Sequence, residues 1–425
     1  MTAETGPDPG ALTAGPLGRA MLAELAGVDR LRLLAAAGRP VPPGVAFLRA
    51  EERPGLRARW PRRTRRGATG WPEWMNPGGG VTELIGSAVA EAVRISPNER
   101  WFTDPLALLG PVATTAAGWA FGSYFSEIDP LLAAAAAQFL PLAETVAAAP
   151  AAAWWRTPAD RRHQRWLGCE HRPALARGDD VIRAIEAATE QEPGSAASGS
   201  GSAASGSAAS GSGSAAAVAA SPPPAPGALR GPAAGPPPAP SAGGPAVPAP
   251  FPGPDVPVSG AWWSGPVYAT TWTSRGPIGG LPAVGLAVAE DPLGEEDFEV
   301  WAVGIDPAAR VYEVHGPDDW AALVAAFPRD VTASRRADWT RWTGHTGMWL
   351  LPDWPSVARE WDGVHVSVAG YLSTAGMALG IEGAATLLAG WDADQTLWLR
   401  DVFTGTRHLE TWYGEPGAPG QFVTP

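Results

Sequence analysis

The first candidates for chemistry are three polar residues in one short segment. Gly363 to Leu372 reads as a strand in which Val364, Val366 and Val368 share an apolar face. His365, Ser367 and Tyr371 fall on the other face. At the rise of an extended chain, His365 and Ser367 lie about 7 Å apart, and His365 and Tyr371 about 20 Å. His365 and Ser367 alone are therefore no nucleophile and base, because that pair needs hydrogen-bond contact. The alternation predicts a polar sheet face that is wet, lines a cavity or is covered by another polar surface.

A second constellation is Arg335, Arg336, Trp339, Trp342 and His345. Arginines interleaved with tryptophans grip planar anions by paired hydrogen bonds and stacking. The same spacing also suits one helical turn whose tryptophans are core. The ligand-binding candidates are thus Arg335, Arg336, Trp339, Trp342, His345, His365, Ser367 and Tyr371. No two of His315, His345 and His365 stand at helical metal-site spacing, so no metal is expected. Asp-Trp pairs at 319–320, 338–339 and 353–354 suggest a carbohydrate cleft, although Asp319 and Trp320 are already explained as a helix start and a core position. The chain holds no GxSxG, phosphate-binding glycine loop, HExxH or kinase signature.

The order Arg310-Val311-Tyr312 and then Tyr371-Leu372-Ser373-Thr374 resembles the arginine and Ser-Thr elements of ADP-ribosyltransferases. The resemblance covers two short strands. It implies an NAD pocket with Arg310 on the cofactor and Ser373 and Thr374 supporting it. The family's Glu-x-Glu form is not met, since only Glu382 and Glu410 follow. Apart from this resemblance, no cofactor is expected.

These residues need elements to position them. Phe298–Ile305 and Arg310–Val314 read as strands separated by the Asp306-Pro307 turn. Gly316 to Phe327 reads as a helix with Trp320, Leu323, Val324 and Phe327 on one face. A short helix follows Asp353, and strands are expected at Thr386–Gly390 and Thr396–Val402. The C-terminal domain, residues 259–425, is therefore α+β, with a mixed or antiparallel sheet and few helices. Residues 1–192 read as a mostly helical module, with helices at Leu17–Ala37, Val81–Ile95 and Asp179–Glu190 and a capping box at Ser96–Glu99.

Residues 193–258, almost entirely Gly, Ser, Ala and Pro, separate the two modules. Such composition buries no apolar face, so a long disordered linker is expected. Residues 1–192 hold 21 Arg against 21 Asp and Glu, so the whole charge surplus of −12 lies in the remainder. An acidic C-terminal domain argues against a nucleic-acid partner there. The cluster Arg57, Arg59, Arg62, Arg63, Arg65 and Arg66 reads as a solvated charged loop, or as a surface for nucleic acid or acidic lipid, or equally for docking onto that acidic domain. All 31 basic residues are arginine, and Cys169 is the single cysteine, which fits a reducing compartment. Met1–Ala14 lacks the pattern of a signal peptide, so a cytoplasmic location is expected. Pro105–Ser126 is uncharged, yet its prolines, glycines and threonines argue against a membrane span. The leading expectation is a two-module protein whose C-terminal domain binds an unidentified protein or a small anionic ligand. The alternative is an effector or toxin-like enzyme, most concretely an NAD-dependent ADP-ribosyltransferase-like transferase.

Overall fold

The computed structural model describes residues 6–28, 33, 81–94, 100–120, 123–168, 173, 175–178, 180–190, 262–266, 270–288, 298–415 and 418–423. The Arg57–Arg66 cluster, the Ser96–Glu99 box, Cys169 and the linker lie outside them.

The N-terminal region is helical. Helix α1 (Pro9–Ala14) starts on Asp8, whose carboxylate accepts the N–H groups of Gly10 and Ala11 at 2.8 and 3.4 Å. Helix α2 (Pro16–Ala26) is buried along nearly its whole length. The helix expected to reach Ala37 stops at Ala26, because Gly27 turns left-handed at φ 69° and caps it. Buried Arg19 is held by Asp129 at 2.6 Å and by the carbonyls of Thr13 and Ala14. Helices α3 (Val81–Arg94), α4 (Arg100–Thr103), α5 (Pro105–Ala120), α6 (Ser123–Ala134) and α7 (Ala136–Ala148) follow. The uncharged stretch is thus divided between α5 and α6. Among the described residues no single helix is long and apolar enough to cross a membrane. Ile128–Ala134 and Ala136–Ala148 pass that test together but are bent by 84°.

Strand β1 (Gln164–Gly168) and helix α8 (Asp180–Glu190) close this region. The C-terminal region has mixed sheets with short helices. It runs β2 (Thr271–Arg275), α9 (Gly285–Val288), β3 (Phe298–Ile305), β4 (Val311–Val314), α10 (Pro317–Ala326), β5 (Pro328–Asp330), α11 (Thr332–Thr343) and β6 (Met348–Pro352). Then come α12 (Trp354–Glu360), β7 (Gly363–Val366), α13 (Val368–Thr374), β8 (Leu379–Ile381), β9 (Ala384–Thr386), β10 (Gln395–Trp398), β11 (Phe403–Glu415) and β12 (Ala418–Val423). Eight strands form one sheet in the order β12-β11-β3-β1-β2-β10-β7-β4, and four form another, β5-β6-β9-β8.

Strand β1 comes from the N-terminal region yet sits between β2 and β3, antiparallel to both. The regions share more than this strand. One hydrophobic cluster runs from Leu17 and Met21 through Trp155 to Trp320, Trp391 and Leu397. Arg177 donates to the Phe403 carbonyl at 2.8 Å, and Arg329 to that of Thr189 at 2.5 Å. A Cβ on Gly15 would stand 2.6 Å from the Leu372 carbonyl oxygen, so only glycine lets α1 and α2 come this close to α13.

The large sheet has two unlike faces. On one, Val314, Val364, Val366, Leu397 and Val300 are all fully buried. Strand pairing puts Glu313 beside His365, His365 beside Thr396, and Thr396 beside Thr273 on the other. Ala159 and Ala176, before and after β1 in the chain, meet this second face. The Ala159 N–H donates to Glu313 at 3.0 Å, and the Ala176 N–H to Thr271 Oγ1 at 3.0 Å.

Many of the tryptophans are core. Trp391 meets Trp272 edge-on at 4.8 Å and Trp320 at 6.2 Å. Their ring nitrogens need partners once buried. Trp354 donates to the Ser264 carbonyl at 2.9 Å, Trp391 to Ser264 Oγ at 3.0 Å, and Trp320 to Thr386 Oγ1 at 3.2 Å.

Candidate functional site

The strand expected from Gly363 to Leu372 ends at Val366. Ser367 is the reason: its side chain accepts the Gly370 N–H at 3.1 Å and donates to the Val314 carbonyl at 3.2 Å. That cap starts α13, which carries Tyr371, Ser373 and Thr374, all buried. The alternation of valines that suggested a longer strand is overridden by the cap. His365, Ser367 and Tyr371 therefore do not line one sheet face, and of the expected alternatives the face His365 occupies is the covered one.

His365 is 1% exposed and lies between two carboxylates. Its Nδ1 is 2.6 Å from Glu313 Oε2, and its Nε2 is 3.2 Å from Asp394 Oδ1. Asp394 in turn accepts the Arg275 backbone N–H at 3.1 Å and its Nε–H at 3.2 Å. Arg275 then donates to the Thr157 and Pro158 carbonyls at 3.3 and 2.8 Å and lies over the Trp154 ring at 5.6 Å. The result is an alternating row of charges: Glu313, His365, Asp394, Arg275. Asp394 takes its place from a left-handed turn at φ 56°, a conformation aspartate tolerates better than most residues.

Burial alone pushes the His365 pKa down. The hydrogen bonds His365 donates to Asp394 and Glu313, with the charges of those acids, outweigh it and lift the value from 6.5 to about 9. The imidazole is therefore a cation at neutral pH, with both N–H groups donating. Geometry and charge agree here, since a neutral ring could donate to only one of the two carboxylates.

At the end of β4 the row opens. Glu313 keeps 21% of its side chain exposed. His315, two residues on, is half-buried, and its Nδ1 is buried without a partner. Its backbone N–H donates to Asp319 at 2.8 Å. Burial first, then the charges of His365 and Arg156, hold its pKa below the ordinary value, against the opposing pull of Glu313 and Asp319. Two neighbouring histidines thus carry opposite shifts. The segment 154–160 forms one wall, with the Trp155 carbonyl accepting the Ala369 N–H at 3.1 Å.

The arginine–tryptophan segment forms α11. Arg335 is buried, donates to the Trp263 carbonyl at 3.0 Å and lies 5.8 Å from the Trp339 ring centre. Trp339 is fully buried and donates to the Trp262 carbonyl at 3.0 Å. Trp342 meets Trp262 edge-on at 5.9 Å, and His345 meets Trp349 at 4.8 Å. Arg336 alone of these is exposed. Arg310 is exposed ahead of β4, its N–H held by Asp362 at 2.7 Å. Because β4 and β7 run parallel, Arg310 lies at the opposite end of the pair from α13, where Ser373 donates to the Ala369 carbonyl at 2.7 Å. The fold brings His365 to Glu313 but does not bring Arg310 to Ser373.

Among the described residues no three His, Cys, Asp or Glu side chains converge as a metal ion would need. His365 instead offers each nitrogen to a different acid. Glu313, Asp394 and Arg275 were not visible as site residues in the sequence, because their partners lie far along the chain. Only the lone acid between Val311 and Val314 hinted at a polar position on that strand.

No family model matches this chain, and neither a curated protein nor a solved structure does. The case for function rests on the site.

Proposed function

We propose that the protein is a ligand-binding module whose recognition point is the open end of the charge row, between segment 154–160 and the C-terminal ends of β4 and β7. The observation that carries this reading is His315, whose buried Nδ1 has no partner beside the partly exposed Glu313 carboxylate. A buried polar atom left unmet costs about 1–3 kcal/mol, which a ligand supplying the bond would recover.

Two features support a binding role. His365 and Asp394 hold Glu313 from behind, so the mouth is rigid before any ligand arrives. The mouth also lies beyond the carboxyl ends of a parallel strand pair, a place where open sheets often form ligand crevices. The ligand class is a small polar molecule that hydrogen-bonds a neutral imidazole and donates to a carboxylate.

The test is a thermal-shift screen of the full chain with NAD, anionic nucleotides, oligosaccharides and small amines. A compound that raises Tm in the wild type and not in His315→Ala supports the reading. Compounds that stabilise both proteins equally, or none that stabilises either, count against it.

A further inference from the structure

On the opposite face of the sheet, at the β1–β3–β11 end, two arginines oppose one another. Strand register pairs Arg165 with Ala302, and Ala302 with Arg407. In-register residues share a face, and two strand spacings put the arginine Cα atoms about 10 Å apart. Only the Ala302 methyl stands between them. Neither side chain is neutralised there. Arg165 uses one Nη1–H on the Gln164 carbonyl at 3.0 Å, and its Nε is buried without a partner. Its Nη2 and the whole guanidinium of Arg407 have no hydrogen bond or ion pair among the described residues.

Like charges facing each other across a sheet are destabilising unless something lies between them. Arg407 comes from the part of the chain that carries the acidic surplus, yet no acid is placed between the two arginines. Each guanidinium presents a fork of donors matched to an oxyanion, and two forks can hold one tetrahedral group from both sides. Arg165 is held in place: its stem lies against Gly276, where an added Cβ would come 2.8 Å from Arg165 Cγ. Arg407 is exposed and can close over a ligand. The mutual repulsion is felt electrostatically too: burial and then Arg407 depress the Arg165 pKa, with Asp160 opposing.

We propose that Arg165 and Arg407 form an oxyanion site for the phosphate group of a small molecule, across the sheet from the His365 row. The site is independent of the His315 mouth, and because β1 supplies Arg165, it exists only where the N-terminal region completes the sheet.

The experiment follows Tm of the full chain against inorganic phosphate and pyrophosphate, with chloride holding ionic strength constant. The expected result is a saturable rise in Tm, with half-saturation at least about tenfold weaker in Arg407→Ala, the loss of one charged contact. Arg407→Glu provides a second reading. It should raise Tm in chloride alone, by pairing with Arg165, and abolish the phosphate response. The proposal is overturned if phosphate gives no saturable rise, if Arg407→Ala responds like the wild type, or if Arg407→Glu keeps the response.

Discussion

The two faces of the eight-stranded sheet are built on the same strands by opposite means. One face is closed by Val314, Val364, Val366 and Leu397 and needs only apolar area, which is tolerant of small shifts. The other is closed over Glu313, His365, Thr396 and Thr273, and apart from Thr396 these depend on hydrogen-bond partners at set distances. The first face contributes stability in proportion to area. The second contributes position, because a charge that loses its partner in a dry site has no alternative. That contrast explains why the candidate mouth lies at the end of the polar row.

Both faces depend on β1, which gives Leu167 to one side and Gln164 to the other. The largest expected effect is therefore its removal. A fragment of residues 262–425 should lose the cooperative unfolding transition of the full chain, because β2 and β3 would both be left with an open edge. Adding residues 1–190 as a separate polypeptide should restore the transition. Circular dichroism melts of the fragment, alone and mixed, decide this, and a cooperative melt of 262–425 alone would mean that the sheet can close without β1.

Next in size is the loss of one charge partner. His365→Leu leaves Glu313 and Asp394 facing an apolar group, which should cost about 3–5 kcal/mol. Leu397→Ala, on the apolar face at the neighbouring strand position, should cost about 2–5 kcal/mol by leaving a cavity. Their sizes overlap, but their coupling separates the faces. Adding Glu313→Gln to His365→Leu should cost much less than the sum of the two, whereas adding it to Leu397→Ala should be nearly additive. Urea melts of the single and double variants measure both cycles.

The pH dependence sharpens the same contrast. The His365 pKa is raised from 6.5 to about 9 in the folded protein. Its proton therefore stabilises the fold in full below about pH 6.5, and that contribution is lost as pH rises through 9. The total is on the order of 3 kcal/mol. Stability measured between pH 7 and 9.5 should fall in the wild type and in Leu397→Ala, and the slope should be shallower in His365→Leu. An equal slope in all three would detach the histidine from the alkaline loss.

The sequence made these faces legible to different degrees. Apolar periodicity read α10 and its Trp320, Leu323 and Val324 correctly, and the β-rich run Phe298–Ile305 matches β3 end to end. Such patterns are local, and burial follows from them directly. The polar row was hidden because His365 finds Glu313 and Asp394 only after a crossover and a long return. Ser367 shows the opposite failure. Its side chain satisfies the first turn of a helix, a local signal that the valine alternation concealed. The arginines of α11 looked like a gripping surface, yet Arg335 is spent on the Trp263 carbonyl within the core. Arginine beside tryptophan reads the same in sequence whether it faces a ligand or a backbone oxygen.

The smallest effects come from the two threonines in the row, and they should have opposite signs. Thr273 Oγ1 donates to Gln164 Oε1 at 2.5 Å and accepts the Trp398 N–H at 2.7 Å. Thr273→Val breaks both bonds and strands two buried polar groups, so it should cost about 2 kcal/mol. Thr396, its in-register neighbour, is equally buried, but its Oγ1 has no partner. Thr396→Val keeps the branched shape and removes only an unmet hydroxyl, so it should be neutral or stabilise by up to about 1 kcal/mol. Differential scanning calorimetry of the two variants makes the comparison within one face. If Thr396→Val instead lowered Tm as far as Thr273→Val does, its hydroxyl would have to be serving His365 across the strand pair, and the polar row would run unbroken from Glu313 to Gln164.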